Sequence, residues 1–362
     1  MRYLVTAAIV AAIGIGAAHA QAPQGYPADY GKIVEAAKKE GKVVIYSTTD
    51  SVAAGPLIKD FEALYPGIKV EYSDLNSTEL YNRYIAEAAA NNGTGDLIWS
   101  SAMDLQVKLV ADGHALAYPS PEIKSLPKWA VWKDSAYGTT YEPITFVYNK
   151  RLVPAEDVPK DHADLLKLIN AKSDFYKGKI TAYDPERSGV GYLFCTEDVK
   201  NFPAAWDLFK AMGKAQAKFY TSAGAMMERV TSGEHLIAYG IFGSYALGRS
   251  KKDPNLGIVM PKDYTMVTSR VAFISNKAKS PNAAKLFLDY VLSKRGQDII
   301  ANKADLYSLR EDVEGEATIK GVSALVGDKA RPVPIDQTLL ENLDQTKRLA
   351  FLQKWGQAKR GQ

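Results

Sequence analysis

A single cysteine, Cys195, stands in the 362 residues, so the chain forms no internal disulfide and must be held by hydrophobic cores. With no histidine or basic cluster beside it in sequence, Cys195 is expected to act as a small buried hydrophobe. No run of five like charges occurs, and 45 Lys+Arg are offset by 41 Asp+Glu. That balance excludes a basic arm, an acidic tail and a dedicated nucleic-acid surface. Beyond residue 20 no window approaches eighteen continuous apolar residues, the length a membrane-spanning helix requires. Enzyme signatures are equally scarce. There is no Gly-x-Ser-x-Gly elbow and no P-loop, and Ser188-Gly189-Val190-Gly191 lacks the remaining glycine of a dinucleotide fingerprint. Ser125-Leu126-Pro127-Lys128 matches Ser-x-x-Lys without the motifs that accompany it in β-lactamases. His114, His162 and His235 are isolated and have no metal-ligand spacing. Catalysis, a resident metal and a cofactor are therefore not expected.

What is present is the balance of a globular protein, 46% hydrophobic and 24% charged, with 21 Tyr and five Trp. Single cores stop growing at about 250–300 residues, so two compact units are expected. The aromatic residues often adjoin Gly, Ser or Thr, a chemistry suited to small polar molecules.

Met1-Arg2-Tyr3, the apolar stretch Leu4 to Ala18, and Ala18-His19-Ala20 read as a cleavable secretory signal with cleavage after Ala20. No cysteine follows it, so lipidation is not expected. Residues 21–39 then form a lead-in and a helix.

From residue 40 the pattern alternates. Lys42 to Tyr46 is strand-like, Leu57, Ile58, Phe61 and Leu64 keep helical spacing, and Ile68 to Tyr72 is the next strand. A helix from Glu79 to about Asn91 and a strand at Asp96 to Trp99 extend the βαβ order, which buries a parallel sheet between helices. Further strands are expected at 141–148, 179–183, 235–240 and 269–275, and Ser280-Pro281 opens an amphipathic helix. The expected fold class is α/β.

In such a sheet the loops at the carboxyl ends of strands lie where helices begin, and backbone N–H groups converge on one crevice. Five loops have that position: 47–51, 74–78, 99–101, 184–189 and 242–245. Their candidate ligand-binding residues are Thr48, Thr49, Ser77, Trp99, Ser100, Arg187, Ser188, Gly189, Phe242 and Tyr245. Arg187 is the charge available to a carboxylate or phosphate. Each residue also has a local explanation. Ser47, Thr48 and Ser51 suit helix N-caps, Arg187 suits a surface ion pair, and Trp99 and Tyr245 suit core or hinge packing.

Five segments in order carry a family likeness: Val43-Val44-Ile45-Tyr46-Ser47; Thr94-Gly95-Asp96-Leu97; Val147-Tyr148-Asn149-Lys150; Thr231-Ser232-Gly233-Glu234; and Ser280 to Asp289 with Ser293 to Gln297. Together with the leader they resemble the periplasmic solute-binding proteins of ABC importers, in the branch that includes ferric-ion, hexose-phosphate, phosphonate and polyamine binders. The resemblance implies a two-lobed type II periplasmic binding protein. Residues 40–142 and 270–362 would form lobe 1 and 143–269 lobe 2, with crossovers near 141–147 and 268–274. It also implies a monomer in the periplasm that traps a solute between the lobes and delivers it to an inner-membrane permease served by a cytoplasmic ATPase. Ferric binders carry paired tyrosines where Phe242 and Gly243 stand here, and neither residue offers an oxygen ligand. The expected solute is a small organic anion, phosphorylated or carboxylated, cradled by Arg187, Ser188, Gly189, Thr48, Thr49 and Ser77. The alternative is a ferric-ion binder with ligands drawn from Tyr46, Tyr183, Tyr239 or Tyr245; a third class is an exported enzyme on the same scaffold.

Overall fold

The computed structural model describes residues 25–91 and 93–362. The leader, its cleavage point and Asn92 lie outside the described residues. Thirteen strands lie among the described residues: β1 Lys42–Ser47, β2 Lys69–Asp74, β3 Leu97–Ser100, β4 Val131–Trp132, β5 Ala136–Gly138, β6 Glu142–Asn149, β7 Ile180–Tyr183, β8 Lys218–Tyr220, β9 Ile237–Phe242, β10 Leu256–Val259, β11 Thr265–Thr268, β12 Val271–Ile274 and β13 Ala330–Pro332. They form two helix-flanked sheets, and the fold is α/β.

The first sheet has the order β2-β1-β3-β12-β5-β4, and the second β13-β11-β6-β9-β7-β8 with β10 beside β6. β1 lies parallel between β2 and β3, as the alternating pattern of residues 42–99 requires. In the second sheet β7 is parallel to both β8 and β9, while β6 runs antiparallel to β9. Helices Gly31–Glu40, Ser51–Leu64 and Pro281–Leu292 bury Val34, Phe61, Leu286 and Phe287 against one face of the first sheet. A separate cluster built on Phe146, Ile180, Leu208 and Trp355 fills the outer face of the second. Cys195 is buried in that cluster, and burial pushes its thiol well above the usual range.

The chain passes between the sheets at 139–141 and 269–270, and these two segments hydrogen-bond to each other. Thr139 N donates to Arg270 O at 2.9 Å and Arg270 N donates to Thr140 Oγ1 at 3.0 Å. A third passage follows. The expected division puts 270–362 with the first sheet, but β13 pairs with β11 and helix Gln345–Lys359 packs Trp355 against Phe209 and Phe219. β13 and helix Gln345–Lys359 therefore lie with the second sheet, while Ile335 between them donates its N–H to Trp129 O of the first half at 2.8 Å. That helix buries Trp355 and Ala358 in the apolar cluster that contains Phe209.

Candidate functional site

A cavity of about 220 Å³ lies between the two sheets, where β1, β2 and β3 on one side and β7, β8 and β9 on the other end in loops. Six helix starts supply its wall. Asp50 precedes helix Ser51–Leu64, Asn76 and Ser77 open Ser77–Ala90, and Ser101 stands just before Met103–Ala111. From the other side come Ser188 before Gly189–Asn201, Ser222 before Ala223–Ser232, and Phe242 before Gly243–Ser250. The first N–H groups of a helix have no intrahelical acceptor and carry the positive end of its dipole, so the convergence favours negative charge. Side-chain oxygens stabilise these starts: Asn76 accepts from Glu79 N at 2.9 Å, and Ser188 accepts from Gly191 N at 3.1 Å.

Among the described residues the one cationic side chain lining the cavity is Arg270, which occupies the second passage between the sheets and is 1% exposed. Its Nε lies 3.4 Å from Oε1 of the fully buried Glu142, and its Nη1 donates to Thr49 Oγ1 at 3.2 Å and to Thr48 O at 3.4 Å. Nη2 is buried and makes no hydrogen bond to the described residues. The guanidinium carbon lies 5.3 Å from the Phe242 ring centre and 5.1 Å from that of Tyr245, so its flanks are apolar. Burial works against the charge of Arg270, but Tyr245, Glu142 and Asp50 outweigh it and hold the group protonated. Burial raises the Glu142 carboxyl, against the pull of Arg270. Glu142 Oε2 is likewise buried and without a partner among the described residues.

Three carboxylates, Asp50, Asp74 and Glu79, line the first-sheet side. Each has a local donor: Tyr245 Oη donates to Asp50 Oδ1 at 2.9 Å, Ser51 N to Asp74 Oδ2 at 2.8 Å, and Asn76 Nδ2 to Glu79 Oε2 at 3.2 Å. The Tyr245 phenol, pushed up to about 12 by burial and by Asp50, stays protonated. Its bond to Asp50 joins the two sides of the cavity.

Of the residues singled out from the sequence, Thr48, Ser77, Ser188, Phe242 and Tyr245 line the cavity. Thr49 stands behind it, holding Arg270. Gly189 marks a close approach between the two sides, since a Cβ there would meet Leu105 Cδ1 at 2.9 Å and Ser77 Oγ at 3.2 Å. Trp99 is buried away from it with Nε1 on Thr139 Oγ1 at 2.8 Å, and Ser100 Oγ accepts from Ala102 N at 3.2 Å. Arg187 is also outside the lining. Its side chain is 61% exposed, with Nε on Asp184 Oδ2 at 3.0 Å and Nη2 on Phe219 O at 3.1 Å. Asp184, three residues earlier and buried, draws it away from the cavity. Sequence reasoning named the 99–101 loop but not Ser101 among the binding residues, and it missed Arg270 and the 221–224 loop; only the Ser222 cap before a helical run signalled the last.

Of the tyrosines considered as iron ligands, Tyr183 and Tyr245 line the cavity. Tyr239 Oη donates to Asp198 Oδ2 at 2.6 Å in the core of the second half, and Tyr46 Oη donates to Glu87 Oε2 at 2.9 Å.

Residues 56–325 match the family model described as bacterial extracellular solute-binding protein. The chain is 38% identical to the substrate-binding protein of the ABC transporter from Agrobacterium tumefaciens, with a TM-score of 0.84 over 88% of this chain and 94% of that one. The periplasmic binding protein AfuA from Actinobacillus pleuropneumoniae, solved with fructose-6-phosphate, is 23% identical over 87% of this chain and 97% of its own, with a TM-score of 0.72. Iron-bound HitA from Pseudomonas aeruginosa is 18% identical over 88% of this chain and 99% of its own, with a TM-score of 0.71. Those last two likenesses speak to the fold, while the first two findings extend to the family. Among the described residues no helix is long and apolar enough to cross a membrane. The chain thus belongs to the bacterial extracellular solute-binding proteins and is the substrate-binding component of an ABC transporter rather than an enzyme.

Proposed function

We propose that the solute is a small organic anion, phosphorylated or carboxylated and carrying hydroxyl groups, which the protein holds between its halves and passes to a membrane permease. The observation that carries this reading is Arg270. A solvent-sealed guanidinium with an unbonded Nη2, at a cavity ringed by six helix starts, is a receptor for an oxyanion. Asp50, Asp74 and Glu79 are acceptors only, so the part of the solute facing them must donate, as sugar hydroxyls do. The fructose-6-phosphate bound to AfuA has both features.

Closure brings the two sides against one ligand and is driven only by the ligand's preference for the closed form. Arg270 sits where the chain passes between the sheets, so an anion on its guanidinium also bears on the hinge backbone.

Ferric iron is the competing reading. It is weakened by Phe242, which puts a ring without oxygen in the cavity wall, and by the use of Tyr46 and Tyr239 in bonds elsewhere. A thermal-shift screen of sugar phosphates, phosphonates, di- and tricarboxylates, polyamines and ferric citrate decides between them. Organic anions are expected to raise the melting temperature by mass action. Stabilisation by ferric citrate alone, with a visible tyrosinate band, would overturn the reading.

A further inference from the structure

We infer that the ligand site has a second compartment for another anionic group of the same solute, so that the transported molecule is anionic at both ends; this rests on the anion reading above. A hollow of about 390 Å³ lies beyond the Asp50–Tyr245 contact and shares Asp50, Gly224 and Tyr245 with the solute cavity. Both halves build it: Val52 and Lys303 come from the first-sheet side, Met227, Arg249 and Lys252 from the other.

Its charge is unbalanced. Arg249, Lys252 and Lys303 have no ion pair and no side-chain hydrogen bond among the described residues. The two acids in the same wall are engaged: Asp305 accepts from Lys251 at 2.5 Å, and Asp50 accepts from Tyr245. Ser244 also lines the hollow. Gathering three cations around one hollow costs free energy through mutual repulsion, and an anion offsets that cost. Lys303 comes from one side and the Arg249–Lys252 pair from the other, so the three converge at the junction of the halves.

Tyr245 is the partition. Its ring faces the Arg270 guanidinium and its hydroxyl holds Asp50, so a solute with one end on Arg270 reaches the cations by passing this side chain. The solute cavity of about 220 Å³ is below the usual range of drug-sized pockets, and the added compartment gives an elongated molecule room.

Calorimetry with matched probes tests this: fructose 6-phosphate against fructose 1,6-bisphosphate, and ribulose 5-phosphate against ribulose 1,5-bisphosphate, at about 0.15 M salt. In the wild-type protein a bisphosphate is expected to bind about tenfold tighter than its monophosphate, or more. In the Lys252→Met/Lys303→Met variant, which changes only exposed side chains, that gain is expected to shrink to about twofold or less while monophosphate affinity holds. Monophosphates binding as tightly as bisphosphates, or a gain that survives the double substitution, would overturn the second compartment and leave the anion reading intact. If no phosphate or carboxylate of any kind binds, both readings fall together.

Discussion

Replacing Arg270 by Met removes the proposed anion receptor and strands Glu142, and the two effects can be separated. Losing a charge-assisted hydrogen bond to the ligand costs about 1.5–3 kcal/mol, which is about 10–150-fold in affinity. The structural cost comes from Glu142, fully buried and facing an absent partner. The carboxyl escapes by holding a proton. Relative to an unfolded glutamate near 4.3, that costs about 4 kcal/mol at pH 7 and about 1 kcal/mol at pH 5, at roughly 1.4 kcal/mol per pH unit. The folded-state value is raised above the unfolded one, so the variant is most stable below about pH 4 and loses stability as pH rises toward the folded-state value. Urea melts at the two pH values measure the difference. The Arg270→Met/Glu142→Gln variant carries no stranded charge. It is expected to regain most of the stability and to lose the pH slope, yet to bind the wild-type solute no better than the single variant, by calorimetry. Wild-type affinity in either variant would refute Arg270 as the receptor. Equal destabilisation of the single variant at pH 5 and pH 7 would refute the ionic account of Glu142.

Substitutions at three other positions have defined outcomes. Asp289 is buried beneath the donors Tyr30, Tyr118 and Ser120, and burial pushes its carboxyl up to about 6. Stability should therefore fall by about 3 kcal/mol as pH rises from about 4 to about 7, and Asp289→Asn should flatten that slope in melts across the range. Gly189→Val places methyl groups against Leu105 and Ser77 across the gap, so solute affinity should drop about tenfold or more with little change in the unliganded melting temperature. Lys359 donates to Asp184 at 3.0 Å and to Glu186 at 3.1 Å, steadying the loop that presents Ser188. Lys359→Met should weaken binding several-fold, and Lys359→Arg should restore part of it, by calorimetry.

The first half of the fold was legible because β1, β2 and β3 alternate with helices of clear 3.6 spacing and end in hydroxyl-rich loops. Thr48 and Ser77 could be named for that reason, and Ser188, Phe242 and Tyr245 by the same strand-end rule applied to β7 and β9 of the second sheet. Arg270 was hidden. It lies between two short strands, carries no motif, and acquires its role only when the second passage between the sheets sets it against residues more than two hundred positions away, such as Thr48 and Thr49. Arg187 looked better because it adjoins Ser188 and Gly189, but Asp184 one turn earlier claims its guanidinium. β8 escaped notice because three half-exposed residues have no readable period. The C-terminal return to the second sheet was invisible for another reason: residues 345–359 bury only Trp355 and Ala358, so they carry no apolar stripe that would name a partner surface.

The most direct measurement is a crystal structure of the protein with a stabilising solute from the thermal-shift screen. The account predicts an oxyanion within about 3 Å of Arg270 Nη2, the helix starts at Ser101, Ser188 and Ser222 around it, and hydroxyls toward Asp50, Asp74 and Glu79. A metal ion held by the Tyr183 and Tyr245 phenols, or a solute whose charged end lies away from Arg270, would contradict it.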